Sequence, residues 1–245
     1  MSQIHPTATI ADGAVIAKSA KIGAFCKIAN NVRIDDGVTL EPHVHIEQHV
    51  HIQENAHIYS FAKIGNGITA VTIGQNCRVR EFCHVAVEGE DDTSPIIIKP
   101  NCYIMAHVKI HAGVTIEDNC TLTMNVVLHK DSKCEKRVII GAKSTIGENC
   151  TIGTGSMVGA ASCVQHDMPP FTLVEGYPSA SIRGLNSIGM RRNFEDRSSI
   201  NSVKKIFMTL KKDSFSSEKA SQLLEQTVDK HAHEFASFVS LHSCV

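Results

Sequence analysis

The sequence predicts an all-β left-handed parallel β-helix, a hexapeptide solenoid, followed by a small C-terminal α-helical domain. Three observations predict it: aliphatic residues recur six apart, small residues recur two places before them, and residues 198–245 change to helical spacing. Ile4, Ile10, Ile16, Ile22, Ile28, Ile34, Leu40, Ile46, Ile52, Ile58 and Ile64 keep the period of six without a miss. An α-helical stripe needs spacings of three and four, and a strand needs two, so neither explains this pattern.

Three hexapeptides, 18 residues, close one triangular coil. Each supplies a short strand whose aliphatic side chain points into a narrow prism, and coils stack about 4.8 Å apart. The residue two before each aliphatic turns a corner inward and must be small, as Ala8, Ala14, Ala20, Cys26, Val32, Val38, Val44, Val50, Ala56 and Ala62 are. Turns fall at Asp12-Gly13, Asn30-Asn31, Asp36-Gly37 and Glu54-Asn55, residues that tolerate positive φ. A narrow prism has no room for large rings, which agrees with nine Phe, three Tyr and no Trp.

The register continues through Ile73, Val79 and Val85 and breaks at the acidic loop Glu88 to Ser94. It then runs through Ile98, Ile104, Ile110, Ile116, Leu122 and Leu128, and again from Ile140 to Val164. The slot between these last runs is Cys134, inside the polar stretch His129 to Arg137, so the face is expected to be distorted or looped out there. Met168-Pro169-Pro170 is expected to end the solenoid, because proline cannot donate to a ladder. In the tail, Ile200, Val203, Ile206, Phe207 and Leu210, then Leu223, Leu224 and Val228, then Phe235, Phe238 and Val239, read as helices. The division is therefore a β-helix domain over 1–168, an extended connection over 169–197 and a helical domain over 198–245.

Lys plus Arg number 24 against 25 Asp plus Glu, with no long basic run, which removes the attraction that nucleic-acid binding depends on. No apolar run is long enough to cross a bilayer, and the N-terminus lacks a leader-like pattern, so a cytoplasmic protein is expected. Nine Cys without a C-x-x-C argue for reduced thiols rather than a disulfide framework or zinc ribbon. Cys26, Cys77, Cys83, Cys102, Cys120 and Cys150 occupy the small inward slot and read as buried apolar residues.

Histidine is abundant, at 14 residues, but the register separates the ring cluster. His45, His51 and His57 each precede an aliphatic on consecutive hexapeptides, so they point outward from three different faces and cannot converge on a metal within one chain. His111 and His129 are different: they lie 18 apart, each directly after an inward aliphatic, and should stack on adjacent coils. His107 lies nearby at a turn, with Asn125 one coil above. Such a pair is a candidate general base or a solvated ladder, and spacing alone allows both.

The opening Ile4-His5-Pro6-Thr7-Ala8, the segment Ile58-Tyr59-Ser60-Phe61-Ala62-Lys63-Ile64-Gly65, and Asp167-Met168-Pro169-Pro170-Phe171 resemble a known family. The most specific part follows the prism: Glu175-Gly176-Tyr177-Pro178, Arg183-Gly184-Leu185-Asn186 and Gly189-Met190-Arg191-Arg192-Asn193-Phe194. The chain is similar to the trimeric hexapeptide acyltransferases, and within them to the UDP-N-acetylglucosamine O-acyltransferases of lipid A biosynthesis. The resemblance implies transfer of a hydroxyacyl chain from acyl carrier protein to the sugar 3-hydroxyl, with a histidine base in a cleft between subunits of a homotrimer. It implies no cofactor and no metal, the acyl carrier protein thioester being a co-substrate. By the same resemblance Arg191 and Arg192 meet the nucleotide diphosphate, where a guanidinium fork suits phosphate oxygens, and Asn186 contacts the nucleotide side.

The chain departs from the family around the base. Where the family carries M-A-Y-x-H-x-A-H-D-C, this chain reads Met105-Ala106-His107-Val108-Lys109-Ile110-His111-Ala112-Gly113-Val114. Aligned without gaps, the base position holds Ala112, the preceding histidine becomes Lys109, and His111 stands one residue early. A one-residue shift on a strand reverses the side chain. The family's oxyanion glycine region becomes His129-Lys130-Asp131, and the sugar-reading loop is shortened to Gly65-Asn66-Gly67-Ile68-Thr69. The expected reading is an O-acyltransferase with His111 as base, supported by His129 or His107. Two alternatives stand beside it: an altered paralogue that binds nucleotide sugar or acyl carrier protein without transfer, and a carbonic-anhydrase-like metal enzyme using His84, His107 and His111.

Overall fold

Each hexapeptide closes into a two- or three-residue strand and a two-residue turn, and the strands stack into three parallel sheets. The computed structural model describes residues 3–87 and 92–244. The expected left-handed parallel β-helix is found, its faces holding 11, nine and eight strands. The first face begins at Gln3–Ile4, the second at Thr9–Ile10 and the third at Val15–Ile16, and the chain visits them in that order. Strands pair one coil apart in strict register, such as Ile104 with Leu122 and Ile110 with Leu128. From Ile22 onward the period-six aliphatics and the small residues two before them are buried and form one continuous core.

The six small-slot cysteines are buried as expected. Their thiols are not idle: Cys26, Cys77, Cys83, Cys102 and Cys120 donate to the main-chain carbonyls of Glu41, Lys99, Met105, Glu117 and Glu135, all one coil on. Burial pushes the thiols of Cys83 and Cys134 up to about 12, which keeps them protonated and unreactive at neutral pH.

Cys134 corrects the expectation of a distorted face. Lys133–Cys134 is a regular strand, Cys134 pairing with Ile116 and Ile152, and its side chain is fully buried. A thiol is compact and apolar enough to fill an aliphatic slot, so the polar residues around it stand outward without disturbing the ladder. The prolines likewise end the regular coil without ending the first face. Beyond them Thr172–Glu175 pairs in parallel with Met157–Val158, and Ser181–Leu185 folds back antiparallel on it. The stretch 169–197 thus carries a hairpin and a short helix, where the sequence suggested extended chain. Residues 88–91 of the expected acidic break lie outside the described residues.

Among the described residues four helices follow: α1 Ser187–Asn193, α2 Ser198–Lys212, α3 Ser217–Leu224 and α4 Lys230–Leu241. Ser216 and Asp229 cap α3 and α4 by accepting from main-chain N–H groups of Lys219 and of His231 and Ala232. Val203, Phe207, Leu210, Phe235 and Val239 form a second core, with Phe171 from the solenoid end inserted into it. Val228, expected on a helix, is 98% exposed in the turn before α4. The tail is fastened to the prism by His242, whose Nδ1 lies 3.2 Å from Asp167 Oδ2. Among the described residues no helix is long and apolar enough to cross a membrane.

Candidate active site

The edge between the second and third faces gathers the chemistry-bearing groups. Lys109–Ile110 and Val127–Leu128 pair on the second face, so the residue after each strand leaves it at the same height on adjacent coils. Those residues are His111 and His129, and their rings stack with centroids 5.0 Å apart and planes 26° apart. The His111 main-chain N–H donates to the Leu128 carbonyl at 3.0 Å, which locks the two coils together beneath the rings. Ala112, in the next position, is fully buried and offers only a methyl group.

Two loops close over this edge. Thr69, buried in the first, donates its hydroxyl to the Asp92 carbonyl at 2.8 Å, and the Asn66 side chain accepts from the Ile68 and Thr69 N–H groups. In the second loop, Ser94 N–H donates to Asp92 Oδ1 at 2.8 Å, and Gly113 N–H donates to the Ser94 carbonyl. Lys130, beside His129, reaches up to Asp92 Oδ2 at 2.5 Å. Gly113 adopts left-handed backbone at φ +74°, and a Cβ there would push aside the Asp131 carboxylate. The imidazole pair is therefore walled on one side by a salt-bridged loop.

The Lys130 ammonium, aided by Ser94 N–H, holds the Asp92 carboxyl at about 2, below its ordinary 3.8. A depressed carboxyl stabilises the folded state above its unfolded pKa, and that contribution is lost as pH falls through the folded value. The bridge is expected to hold the loop at neutral pH and to release it between about pH 4 and 2. A carboxyl-carbon NMR titration checks this; a midpoint for Asp92 near 3.8 contradicts it.

His107 is not part of this group. It sits at the edge between the first and second faces, at φ +61°, with its ring stacked on Phe82 at 5.0 Å. The strand Lys109–Ile110 separates it from His111, so the two occupy opposite ends of one face. His84, on the second face between Lys63 and Lys109, has its pKa lowered by burial first and by those two ammonium groups second. Its Nε2 has no hydrogen-bond partner. His45, His51 and His57 fall on three faces, with Glu47, Asp35 and Glu41 beside them. Among the described residues no group of three or more His, Cys, Asp or Glu could hold a metal ion.

Asn186, Arg191 and Arg192 lie elsewhere. The Asn186 carbonyl oxygen caps α1 by accepting from Gly189 N–H at 3.0 Å, while its amide donates to the Gly155 carbonyl at 2.9 Å. It thereby seats α1 on the edge between the third and first faces. Arg191 and Arg192 are exposed on α1, and Arg191 lines a cleft of about 440 Å³ with Asn201 and Lys204. Two cations at one cleft suit a phosphorylated ligand. Within one chain this cleft and the His111–His129 pair occupy different edges of the prism.

The repeat does not reveal the Asp92–Lys130 bridge or the part played by Thr69. The acidic loop facing a lysine was the available signal, but the loop breaks the period that would have shown which coil it meets.

Residues 167–243 match the model of UDP-N-acetylglucosamine O-acyltransferase, domain 2; residues 13–48 and 95–130 match the bacterial transferase hexapeptide. An acyl-(acyl-carrier-protein)–UDP-N-acetylglucosamine O-acyltransferase of Verminephrobacter eiseniae is 34% identical over 240 residues, covering 94% of this chain and 91% of that protein. The protein of the same name from Nautilia profundicola is 33% identical over 70% of this chain, and the match spans 66% of its length, just under two thirds. The solved UDP-N-acetylglucosamine acyltransferase of Campylobacter jejuni superposes with a TM-score of 0.90 at 27% identity, covering 98% and 97% of the two chains. Similar from the first coils to the helical tail, this chain belongs to the acyl-(acyl-carrier-protein)–UDP-N-acetylglucosamine O-acyltransferase family.

Proposed function

We propose that the chain is an O-acyltransferase that moves a hydroxyacyl group from acyl carrier protein to a hydroxyl of a UDP-amino sugar such as UDP-N-acetylglucosamine. It works as a cytoplasmic homotrimer, without a metal or other cofactor. The observation that carries this reading is similarity running through both the solenoid and the helical tail, together with a stacked imidazole pair on the edge where two loops close.

In this reading His111 takes the proton of the sugar hydroxyl as its oxygen attacks the thioester carbonyl. Main-chain N–H groups at the same edge hold the resulting oxyanion. Collapse expels the carrier thiolate, which receives the proton from the imidazole, so the products are acylated nucleotide sugar and free carrier thiol. His129 keeps the His111 ring in place by stacking. Arg191 and Arg192 hold the diphosphate, and Asn186 positions them by seating α1.

Mass-spectrometric assay of UDP-N-acetylglucosamine with a panel of hydroxyacyl carrier proteins tests this. The expected result is an acylated nucleotide sugar. Nucleotide-sugar binding without turnover across the panel replaces this reading with that of an altered, binding-only paralogue, which the displacement of His111 and the Lys130–Asp92 pairing would then explain.

A further inference from the structure

Four successive coils meet at the edge that carries the imidazole pair. Thr69 belongs to the coil of Ile64, Asp92 and Ser94 to the coil of Val85, His111 and Gly113 to the coil of Ile110, and His129 and Lys130 to the coil of Leu128. Lys130 Nζ, 2.5 Å from Asp92 Oδ2, therefore skips a coil, and the coil it skips is the one that carries His111. Among the described residues the other ion pairs of the solenoid join groups on one coil or on adjacent coils, as Arg33 with Asp35 and Lys136 with Asp118 do. Adjacent coils are about 4.8 Å apart, so the strands of these two coils stand roughly 10 Å apart and the pair lies across the turn between them.

Stability does not account for this contact. The Lys130 and Asp92 side chains are 46% and 21% exposed, and an ion pair that solvent reaches contributes little to folding. What the pair does is tie separate segments at one point. Asp92 accepts Ser94 N–H on Oδ1 and meets Lys130 on Oδ2, while its main-chain carbonyl accepts the buried Thr69 hydroxyl. The Ser94 carbonyl in turn accepts Gly113 N–H, two residues from His111.

We infer that Asp92 and Lys130 are positioning residues for the acceptor sugar, their ion pair forming the wall against which the sugar is seated beside His111. The inference rests on the acyl-transfer reading above and names the groups that set its acceptor affinity. A hydroxyl that gives its proton to His111 lies within about 3 Å of the imidazole, so the rest of the sugar ring extends over the neighbouring groups of this edge. Those groups form hydrogen bonds. A carboxylate and an ammonium keep acceptor and donor capacity for hydroxyls after they have engaged each other and Ser94. An acyl chain gains nothing from a charged wall, which assigns the wall to the acceptor and not to the donor. Asp92, held at about 2, is ionised throughout the neutral range, so the wall is the same at every ordinary assay pH.

Steady-state kinetics on the full chain, with UDP-N-acetylglucosamine and a hydroxyacyl carrier protein varied in turn, tests this with Asp92→Asn and Lys130→Met. Asn keeps an acceptor for Ser94 N–H and loses the charge; Met keeps most of the length of lysine and loses the ammonium. Each is expected to raise KM for the nucleotide sugar by about tenfold or more, with KM for the carrier substrate within about twofold of native and kcat within about threefold. Lys130→Arg, which keeps the charge, is expected to restore most of the loss. Arg33→Met, which breaks an ion pair of 2.8 Å four coils from His111, is the control and is expected to change none of these constants. An unchanged sugar KM in both variants, or a loss confined to kcat, overturns the inference and leaves the acyl-transfer reading standing. If the native chain binds the nucleotide sugar without turnover, calorimetric Kd values for the same variants decide: binding about tenfold weaker supports the positioning while acyl transfer falls, and a native Kd overturns both. If Asp92→Asn loses its native circular dichroism, Lys130→Met, in an exposed turn, carries the test.

Discussion

His111→Ala is expected to lower the acyl-transfer rate by about 10² to 10⁴-fold, the usual contribution of a positioned general base. Binding of nucleotide sugar is expected to be unchanged, because the Arg191 cleft lies on another edge of the chain. His129→Ala is expected to cost less, since its ring stacks on His111 at 5.0 Å and the proposed mechanism gives the proton to His111. His107→Ala is expected to leave the rate unchanged in any variant that remains assembled, its ring being stacked on Phe82 at the far end of the face. Single-turnover kinetics on the three variants gives the order. A His111→Ala enzyme with native turnover removes that residue from the chemistry.

Ile110→Ala is expected to destabilise the fold by about 2–5 kcal/mol, the range for truncating a fully buried aliphatic. Ile110 is completely enclosed, packed in the column between Val85 and Leu128. Lys109→Ala, one residue away on the outward side of the same strand, is expected to change stability by less than about 0.5 kcal/mol. Urea denaturation followed by circular dichroism measures both. Equal effects would contradict the inward and outward alternation on which the fold depends. Because each coil touches mainly its neighbours, the Ile110→Ala variant is also expected to broaden its transition, as a weakened coil divides the solenoid into less coupled halves.

The histidine pair shows how far periodicity carries. Once the six-residue repeat is recognised, two residues 18 apart must lie at the same height on adjacent coils, and the stack of His111 on His129 follows without further information. The same arithmetic places His45, His51 and His57 on separate faces. It places the small-slot cysteines inside the prism. It did not say that a thiol can replace an aliphatic, so Cys134 read as a break where the ladder in fact continues.

Where the period stops, so does this legibility. Asp92 and Lys130 belong to a loop outside the repeat and a turn within it, and only folding brings them to 2.5 Å. The hairpin beyond Pro170 is another case, since its pairing depends on the free edge of the last first-face strand, Met157–Val158.

By itself, then, the sequence determined the solenoid, its inward residues, the helical tail and the family to which the chain belongs, because each depends on local repetition or on motifs contiguous in the chain. Tertiary structure alone decided the contacts made by residues outside the repeat and between its turns. It stacked His107 on Phe82, joined Lys130 to Asp92 and used Asn186 to seat α1 on Gly155. The physical reason is the triangular cross-section: residues a few positions apart in the chain can face opposite ways, while residues whole coils apart come within contact of one another.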